Sequence, residues 1–384
     1  MSLLSIHSFA ALKVARYEIR LRALESAQLP AFAGSALRGA FGHALKRAVC
    51  VMPHRDCQRC LVVSRCIYPT TFEPEFPAHF TRWQKELNAP TPFVLDPPVH
   101  RQRVGTEPRA ATTDSETADR RQPKWEQHRL LNAGDEITFG LTLLGQAIDH
   151  LPFIVLAIHE MTQRGIGSGV SSPTVKEDSS ANPDAVAGAR SWPKRPQFAL
   201  AEVVVIDADN QRRTIYTESS QRLESPAEAS SNLGQLIAAR LPAVQPGEPD
   251  QSLRLQFLTP VRIKVEGDLQ PRAGFDLIVR NLLRRVSMLT ALYGQSELAL
   301  DYPAIIARAA EIQTVESQLR WWDVPRYSNR QHTKMKMGGF VGSALYQGAA
   351  LAEFLPLLIA GEILRLGKGT SFGLGKFGVE TLTG

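Results

Sequence analysis

The order of the secondary-structure patterns occurs twice along this chain, and this repeat restricts its fold more than any other feature. The first half contains strand, helix, strand, strand, helix and strand patterns at residues 12–23, 35–49, 91–95, 135–144, 147–163 and 198–206. The second half has the same order at residues 253–265, 275–293, 311–327, 334–344, 351–366 and 377–382. Each half ends in a helix, a glycine-rich turn and a strand. The repeat predicts an α+β protein with two tandem ferredoxin-like domains of βαββαβ order, the RRM-like arrangement.

Polar segments separate these patterns and mark the boundaries of the predicted domains. The N-terminal domain is residues 1–206, with a cysteine loop at residues 50–66 and polar insertions at residues 101–133 and 171–196. A linker at residues 207–251 connects it to the C-terminal domain, residues 252–384. The second insertion and the linker are rich in Ser, Pro, Ala and Asp, a composition that is typical of loops. We therefore expect neither of them to carry chemistry.

The composition indicates a globular protein with an anionic partner. Of its 384 residues, 43% are hydrophobic and 21% are charged, and the formal net charge is +6. Such an excess of lysine and arginine favours a polyanion. The first 23 residues include four basic side chains, and two glutamates and a proline interrupt the most apolar run, residues 351–366. Because neither segment is an uninterrupted apolar core, we predict no signal peptide and no membrane span, and we expect a cytoplasmic protein.

Residues 367–376 form a loop of four glycines, two lysines and one aromatic residue. Glycine permits positive φ angles, so successive backbone N–H groups can turn toward one anion. We predict that this loop binds phosphates through Gly367, Lys368, Gly369, Thr370, Ser371, Phe372, Gly373, Gly375 and Lys376. The loop follows a helix and precedes a strand, which is not the order of a nucleotide-binding P-loop. The alternative is a helix-to-strand turn without a ligand.

The four cysteines of the chain are close together in sequence, at Cys50, Cys57, Cys60 and Cys66. Disulfides are disfavoured in the cytoplasm, and a Cys-x-x-Cys pair flanked by two more thiols matches a tetrahedral zinc site. Since the protein would supply all four ligands, such a site would be structural and would fix a metal-binding loop that has little core of its own. An iron–sulfur cluster and unligated thiols are the alternatives.

Several segments of the chain together resemble the CRISPR-associated endoribonucleases of the RAMP superfamily, which process precursor CRISPR RNA. They are residues 29–42 (Leu-Pro-Ala-Phe-Ala-Gly-Ser-Ala-Leu-Arg-Gly-Ala-Phe-Gly), the cysteine quartet with Ile67 and Tyr68, residues 92–98 (Pro-Phe-Val-Leu-Asp-Pro-Pro), residues 326–331 (Arg-Tyr-Ser-Asn-Arg-Gln) with Gly338 and Gly339, and the glycine-rich loop. The resemblance extends through both halves and excludes the polar insertions. Their combination is far more specific than any one motif.

The resemblance implies both a fold and a reaction. The fold is two tandem ferredoxin-like domains. The reaction is a metal-independent cleavage of repeat RNA, in which a 2′-hydroxyl attacks the adjacent phosphate and leaves a 2′,3′-cyclic phosphate. The expected partner is CRISPR repeat RNA, as precursor and as mature product, and the enzyme is expected to keep its product or to pass it to an effector complex. We also assign Arg38, in the first of the motifs, to RNA binding.

The first helix carries the main candidate for the general base of this reaction. With 100° per residue, the spacing places Leu37, Phe41 and Leu45 on the buried face and His43 on the outer face. Lys46 and Arg47 follow His43 by three and four residues, close enough to share one phosphate with it. In the family that the chain resembles, a histidine on or just after this helix is often the base. The glycines at 39 and 42 on the same face predict the close approach of another backbone or of RNA.

The segment between the two predicted strands of the second half is a second candidate for the catalytic and RNA-binding site. It contains four cations, one histidine and one tyrosine: Arg326, Tyr327, Arg330, His332, Lys334 and Lys336. Tyrosine can stack on a base or donate a proton, and the cations can contact phosphates. We predict that the four cations bind RNA, and we keep Tyr327 and His332 as candidate catalytic residues. The alternative is a solvated turn.

Two other classes of function are compatible with the same residues. A RAMP subunit can bind CRISPR RNA as a scaffold in an effector complex without cutting it, because fold does not fix activity. The outward position of His43 favours the enzyme. A zinc-stabilised adaptor for protein partners is the weakest alternative, since it would leave the basic glycine-rich loop without a purpose.

Overall fold

A computed structural model describes most of both predicted domains. It describes residues 4–52, 56–77, 80, 88–98, 129–169, 195–224, 230–244, 252–328 and 333–381. Within these ranges the side chains of residues 169, 326–328, 333–334 and 381 are not described. His332 and Arg330 lie outside the described residues, as do most of the two polar insertions.

The N-terminal domain has nine strands and four helices in its described residues. In chain order these are β1 (Lys13–Ala23), β2 (Ala27–Leu29), α1 (Gly34–Val49), α2 (Ile67–Phe72), β3 (Phe93–Asp96), β4 (Arg129–Leu131), β5 (Glu136–Leu144), α3 (Leu151–Arg164), β6 (Ser168–Gly169), β7 (Phe198–Ile206), β8 (Arg212–Thr217), β9 (Ser231–Asn232) and α4 (Leu233–Arg240). The main sheet has the order β3-β5-β1-β7-β8, and each neighbouring pair is antiparallel. β1, α1, β3, β5, α3 and β7 thus form one βαββαβ unit.

The C-terminal domain repeats this unit. Its elements are β10 (Ser252–Val261), β11 (Lys264–Val265), β12 (Asp268–Leu269), α5 (Phe275–Tyr293), α6 (Tyr302–Ala310), β13 (Gln313–Ser328), β14 (Thr333–Gln347), α7 (Leu351–Leu364) and β15 (Phe377–Thr381). The four-stranded antiparallel sheet has the order β13-β14-β10-β15. The first strand of each unit lies between the third and the fourth, which is the ferredoxin-like order, so the predicted double domain is confirmed.

Several elements differ from the sequence-based expectation, and three of them are β8, α4 and α6. The segment predicted as a linker adds β8 to the N-terminal sheet and forms α4, whose Asn232 and Gln235 make a reciprocal N-terminal cap. α4 contacts the C-terminal domain, because Arg240 pairs with Glu362 of α7. The helix α6 was not predicted; it begins after Asp301, whose side chain accepts a hydrogen bond from the Ala304 amide.

The N-terminal domain has a hydrophobic core between its sheet and its helices. The core of the C-terminal domain also includes side chains of the N-terminal domain, among them Leu12, Val14 and Leu144. A third, smaller buried cluster lies where the segment before α1, the β13–β14 hairpin and the glycine-rich loop meet. Its buried residues are Phe32, Trp322, Val324, Met337, Val341 and Leu374. This cluster packs apolar side chains of the two domains against each other. Among the described helices, none combines the length and the apolar character needed to cross a bilayer.

Candidate nucleic-acid interface

The outer face of α1 presents His43 to solvent. Leu37, Phe41 and Leu45 are buried as the helical spacing predicts, while the His43 side chain is exposed. The pKa of His43 lies below its ordinary value because of partial desolvation and, in addition, the positive charges of Arg47, Arg195 and Lys46. The imidazole is therefore neutral at pH 7, which is the state that accepts a proton.

The two cations that follow His43 have different neighbours. The Lys46 ammonium lies 5.1 Å from the centroid of the Tyr68 ring. Arg47 Nε lies 3.3 Å from Glu160 Oε1 on α3, and the same carboxylate oxygen accepts a hydrogen bond from Arg164 Nε at 2.6 Å. Lys46 thus remains beside His43 on the outer face, whereas the charge of Arg47 is partly neutralised by a neighbouring helix.

The glycines of α1 do not all have the role predicted for them. A side chain at Gly39 would meet nothing within 4 Å, so this surface is open to a ligand. At Gly42, a Cβ atom would lie 2.9 Å from the Phe72 ring, so the close neighbour is an aromatic side chain and not the predicted backbone. The close backbone approach occurs instead at Gly34, the first residue of α1, against the carbonyl oxygen of Phe372.

Arg38 connects α1 to the glycine-rich loop. Its Nε donates a hydrogen bond to Ser371 Oγ at 3.0 Å, and its guanidinium carbon lies 4.4 Å from the centroid of the Phe372 ring. The same guanidinium lies 5.3 Å from the centroid of the Phe72 ring. Arg38 therefore supports the contact between the two domains, and its predicted role in RNA binding is untested.

The glycine-rich loop is packed between the domains. As predicted, Gly367, Gly369, Gly373 and Gly375 have positive φ angles. However, the amide of Lys368 and the amides of residues 372–376 all donate hydrogen bonds to oxygen atoms of the protein. These amides are therefore already bonded within the protein, because a packed loop satisfies its own donors, while phosphate binding by the rest of the loop stays a prediction. Thr370 and Ser371 are also buried, and Phe372 faces Arg38.

An ion cluster fixes the C-terminal end of this loop to the N-terminal domain. Lys376 Nζ donates to Asp96 Oδ2 at 3.2 Å, and Arg365 donates to both carboxylate oxygens of Asp96. Burial of Asp96 opposes its ionisation, but the charges of Arg365 and Lys376 lower its pKa to about 2. Arg365 has a φ of 71°, a conformation that side chains other than glycine rarely adopt. Lys376 is consequently held by a carboxylate of the other domain.

The β13–β14 hairpin carries the basic segment at its end. Gln313–Ser328 pairs with Thr333–Gln347, with one register shift between Thr314 and Glu316. The backbones of Arg326, Tyr327 and Lys334 belong to this pairing, so these residues lie at the end of a long ribbon. The Lys336 side chain is 76% exposed, with its Nζ 3.6 Å from Asp323 Oδ2. The structure places these residues in a separate element from α1.

The four cysteines line one small cavity next to α1. Met52, Tyr68 and Lys46 are also part of its wall. Cys50 follows the last residue of α1 and Cys66 precedes the first residue of α2, so the cysteine loop connects the ends of these two helices. In the described part of the chain, no group of three or more His, Cys, Asp or Glu side chains has a metal-binding arrangement. The four half-buried cysteines are not in disulfides, and zinc binding stays a prediction.

Sequence patterns missed several partners of these residues. Asp96 and Tyr68 each belong to a motif by which the sequence resembles the RAMP endoribonucleases, and that motif was their only signal. Glu160 and Arg365 gave none, because each is distant in sequence from the residue that it contacts.

Comparisons with known proteins agree with both halves of this architecture. Residues 12–228 match a family model for an N-terminal domain, AF_1859_N, and residues 255–377 match the model for CRISPR-associated endoribonuclease Cas6. The chain thus belongs to the family whose N-terminal domain is AF_1859_N, and its C-terminal domain is similar to CRISPR-associated endoribonuclease Cas6. An uncharacterized protein of Archaeoglobus fulgidus is 22% identical over 355 residues, which are 92% of this Cas6-like chain and 93% of that protein.

Solved structures are similar to this chain. A partial Cas6-RT-Cas1–Cas2 complex aligns with 97% of this chain and 46% of its own, with a TM-score of 0.51 and 11% identity. Thermus thermophilus Cas6 aligns with 97% of this chain and 100% of its own, with a TM-score of 0.46 and 14% identity.

Proposed function

We propose that this Cas6-like chain processes precursor CRISPR RNA by cutting its repeat at one phosphodiester without a divalent metal ion. The observation that carries this proposal is the exposed His43 with a lowered pKa beside Lys46. A neutral imidazole takes the proton of the 2′-hydroxyl, and the 2′-oxygen attacks the adjacent phosphorus. The bond from phosphorus to the 5′-oxygen breaks, which leaves a 2′,3′-cyclic phosphate.

Two further roles complete the reaction. Lys46 supplies positive charge near the equatorial phosphate oxygens, where negative charge develops in the transition state. Arg47 has a smaller part in this proposal, because Glu160 already neutralises some of its charge. The leaving 5′-oxygen needs a proton, and His332 and Tyr327 of the basic segment are the candidate donors. The basic end of the β13–β14 hairpin would bind the RNA.

The experiment is single-turnover cleavage of the protein's own repeat RNA in the presence of EDTA, followed on a denaturing gel. We expect one cut and a cyclic phosphate end. His43→Ala should lower the rate by a factor of about 10² or more, the loss typical of a general base, with little change in RNA affinity. His159→Ala, which removes another exposed histidine on α3, is the matched control.

Three results would decide against this assignment. A strict requirement for magnesium would contradict the metal-independent reaction. A slower reaction in His332→Ala but not in His43→Ala would move the base to the hairpin. RNA binding without any cleavage would indicate the scaffold subunit. A pH profile adds a check: the wild-type rate should rise with pH through a pKa below the ordinary value of about 6.5, and should fall again at higher pH as the proton donor of the leaving oxygen ionises.

We also propose that Cys50, Cys57, Cys60 and Cys66 hold a structural zinc ion. The four thiols line one cavity, and thiolate donors suit zinc or an iron–sulfur cluster. The bound metal would join the end of α1 to the start of α2, and α2 carries the Tyr68 ring that contacts Lys46.

Elemental analysis of the purified protein tests this site. We expect about one equivalent of zinc, and its loss together with reduced thermal stability when Cys57 and Cys60 are replaced by serine. Iron with absorption of visible light would indicate a cluster instead, and a metal-free wild-type protein would contradict the site.

A further inference from the structure

The β13–β14 hairpin carries an exposed tryptophan, Trp321, on the face opposite the third buried cluster. Trp321 and Trp322 are consecutive, and successive side chains of a strand point to opposite faces. Trp322 is buried in the third cluster, whereas Trp321 is 42% exposed. Single exposed apolar side chains are common on protein surfaces, so the neighbours of this ring decide what its exposure means.

Two neighbours hold the indole ring of Trp321 in one orientation. Its Nε1 donates a hydrogen bond to Asp323 Oδ1 at 3.0 Å. Gly338 of β14 pairs with Asp323, and a Cβ atom at Gly338 would collide with both the indole ring and the carboxylate. The ring therefore lies against the Gly338 backbone, in space that only a glycine leaves open. A ring that is already held in place loses little conformational entropy when a ligand stacks on it.

The backbone beneath the ring is firmly supported. Phe340 pairs with Trp321 across the hairpin and is buried in the core of the C-terminal domain. Trp321 thus lies where the hairpin leaves this core. Arg326, at the basic end of the hairpin, follows Trp321 by five residues, which is about 16 Å along an extended strand. The ring and the basic end therefore belong to one ribbon.

A cation lies beside the ring on the same face of the hairpin. Asp323 holds the two together, because one of its carboxylate oxygens accepts from the Trp321 indole and the other lies 3.6 Å from Lys336 Nζ. The ion pair of Lys336 with Asp323 is exposed and therefore weak, so the ammonium can contact a phosphate instead. A nucleotide offers a flat base for the ring and a phosphate for the ammonium.

We propose that Trp321 is a stacking site for one unpaired base of the repeat RNA, with Lys336 on an adjacent phosphate. This inference rests on the proposed function and adds to it a residue that determines which part of the substrate lies on the hairpin. Every base has a π face, but a base within a duplex is already stacked and paired. Trp321 therefore distinguishes an unpaired nucleotide from a paired one, and does not distinguish one base from another.

The affinity of Trp321 variants for repeat RNA tests this stacking site. The ligand is repeat RNA with a 2′-deoxy sugar at the cleavage position, so that binding is measured without cutting. W321L should weaken binding about tenfold, as expected for one lost base stack, at low and at high salt alike. W321F should keep most of the affinity, because a phenyl ring still stacks. K336Q should instead reduce the slope of log K against the logarithm of the salt concentration by about one unit.

Two further measurements connect the ring to one nucleotide. In a scan that removes one base of the repeat at a time, the loss at one unpaired position should weaken wild-type binding about tenfold and W321L binding hardly at all. Photo-crosslinking of the wild type to RNA with iodouracil at that position should label the peptide that contains Trp321, a result that does not depend on the folding of a variant. F153L, which removes an exposed ring on α3, is the matched control and should bind as the wild type does.

Each outcome decides for or against the site. If W321L binds like the wild type while the wild type still cuts repeat RNA, the stacking site is overturned and the proposed function stands. Equal losses in W321L and W321F, in W321L and F153L, or in wild type and W321L at every abasic position also overturn it, because the ring then does not stack on a base. A crosslink outside the peptide of Trp321 has the same consequence. A wild type that neither binds nor cuts repeat RNA overturns the proposed function itself.

Discussion

Lys368 and Lys376 lie near the two ends of one glycine-rich loop, and the folded chain gives them opposite surroundings. Lys376 donates to Asp96, a carboxylate of the other domain that Arg365 also contacts. Lys368 is exposed among the cations Arg262, Lys264 and Arg284. Lys376 stabilises the docking of the two domains, whereas Lys368 is available to an external anion.

The comparison shows that one motif can serve two purposes. Glycines allow the loop to make tight turns, and these turns bring one end of it against Pro97 and the other end against Arg262. What each lysine binds depends on the element that packs beside it. Four experiments test whether the two ends of the loop have these different roles.

The largest effect should follow from the loss of the docking carboxylate. Asp96→Ala leaves the Arg365 side chain, which is only 7% exposed, without its counterion. We expect a loss of about 3 kcal/mol in the free energy of unfolding, measured with urea. Glu316→Ala, which removes the more exposed partner of Arg254, should cost less than about 1 kcal/mol. Equal losses in both variants would mean that Asp96 stabilises the protein no more than the partner of an exposed ion pair does.

Packing at the same end of the loop gives the second effect. Gly373 has a φ of 86°, and a Cβ atom there would collide with the Pro97 ring. Gly373→Val should therefore lower the free energy of unfolding by about 2 kcal/mol. Gly39→Ala is the control, because nothing lies within 4 Å of its Cβ position and alanine favours a helix. A Gly373→Val protein of wild-type stability with weaker RNA binding would restore the phosphate-binding interpretation of this end.

Acid should weaken the docking end of the loop. The pKa of Asp96 is about 2 in the folded protein, below its usual value of about 3.9 in an unfolded chain. Ionised Asp96 therefore stabilises the fold above about pH 4, and this stabilisation is lost as the pH falls from about 4 to about 2. Urea unfolding at several pH values should reveal a contribution of about 2 kcal/mol that is missing in Asp96→Asn. The same pH dependence in both proteins would contradict this role.

The smallest effect separates the two lysines directly. Lys376→Gln should lower the free energy of unfolding by about 1 kcal/mol, since Arg365 still neutralises Asp96. It should not change the salt slope of RNA binding, which is the slope of log K against the logarithm of the salt concentration. Lys368→Gln should leave the stability unchanged or slightly raised, because it removes a repelled charge, and should reduce the salt slope by about one unit. The reverse pattern would exchange the two roles.

Regular elements were predictable from the sequence because their periodicity is local. β7 and α5 have the predicted bounds, Phe198–Ile206 and Phe275–Tyr293, and α1 begins one residue before its predicted start. The outward position of His43 also followed from helical spacing alone. By contrast, β8 and α4 were predicted as linker, because each is stabilised by an element from elsewhere in the chain.

Local sequence patterns specify the double βαββαβ order, the outer face of α1 and the positive φ angles of the loop glycines, since hydrophobic spacing and the absence of a side chain act over a few residues. Long-range packing specifies that the amides of residues 372–376 are bonded within the protein, that Glu160 pairs with Arg47, and that Lys368 and Lys376 have different surroundings. These outcomes depend on contacts between residues far apart in the chain. Burial and charge act through space, so a local pattern cannot specify which distant group will lie beside a given lysine.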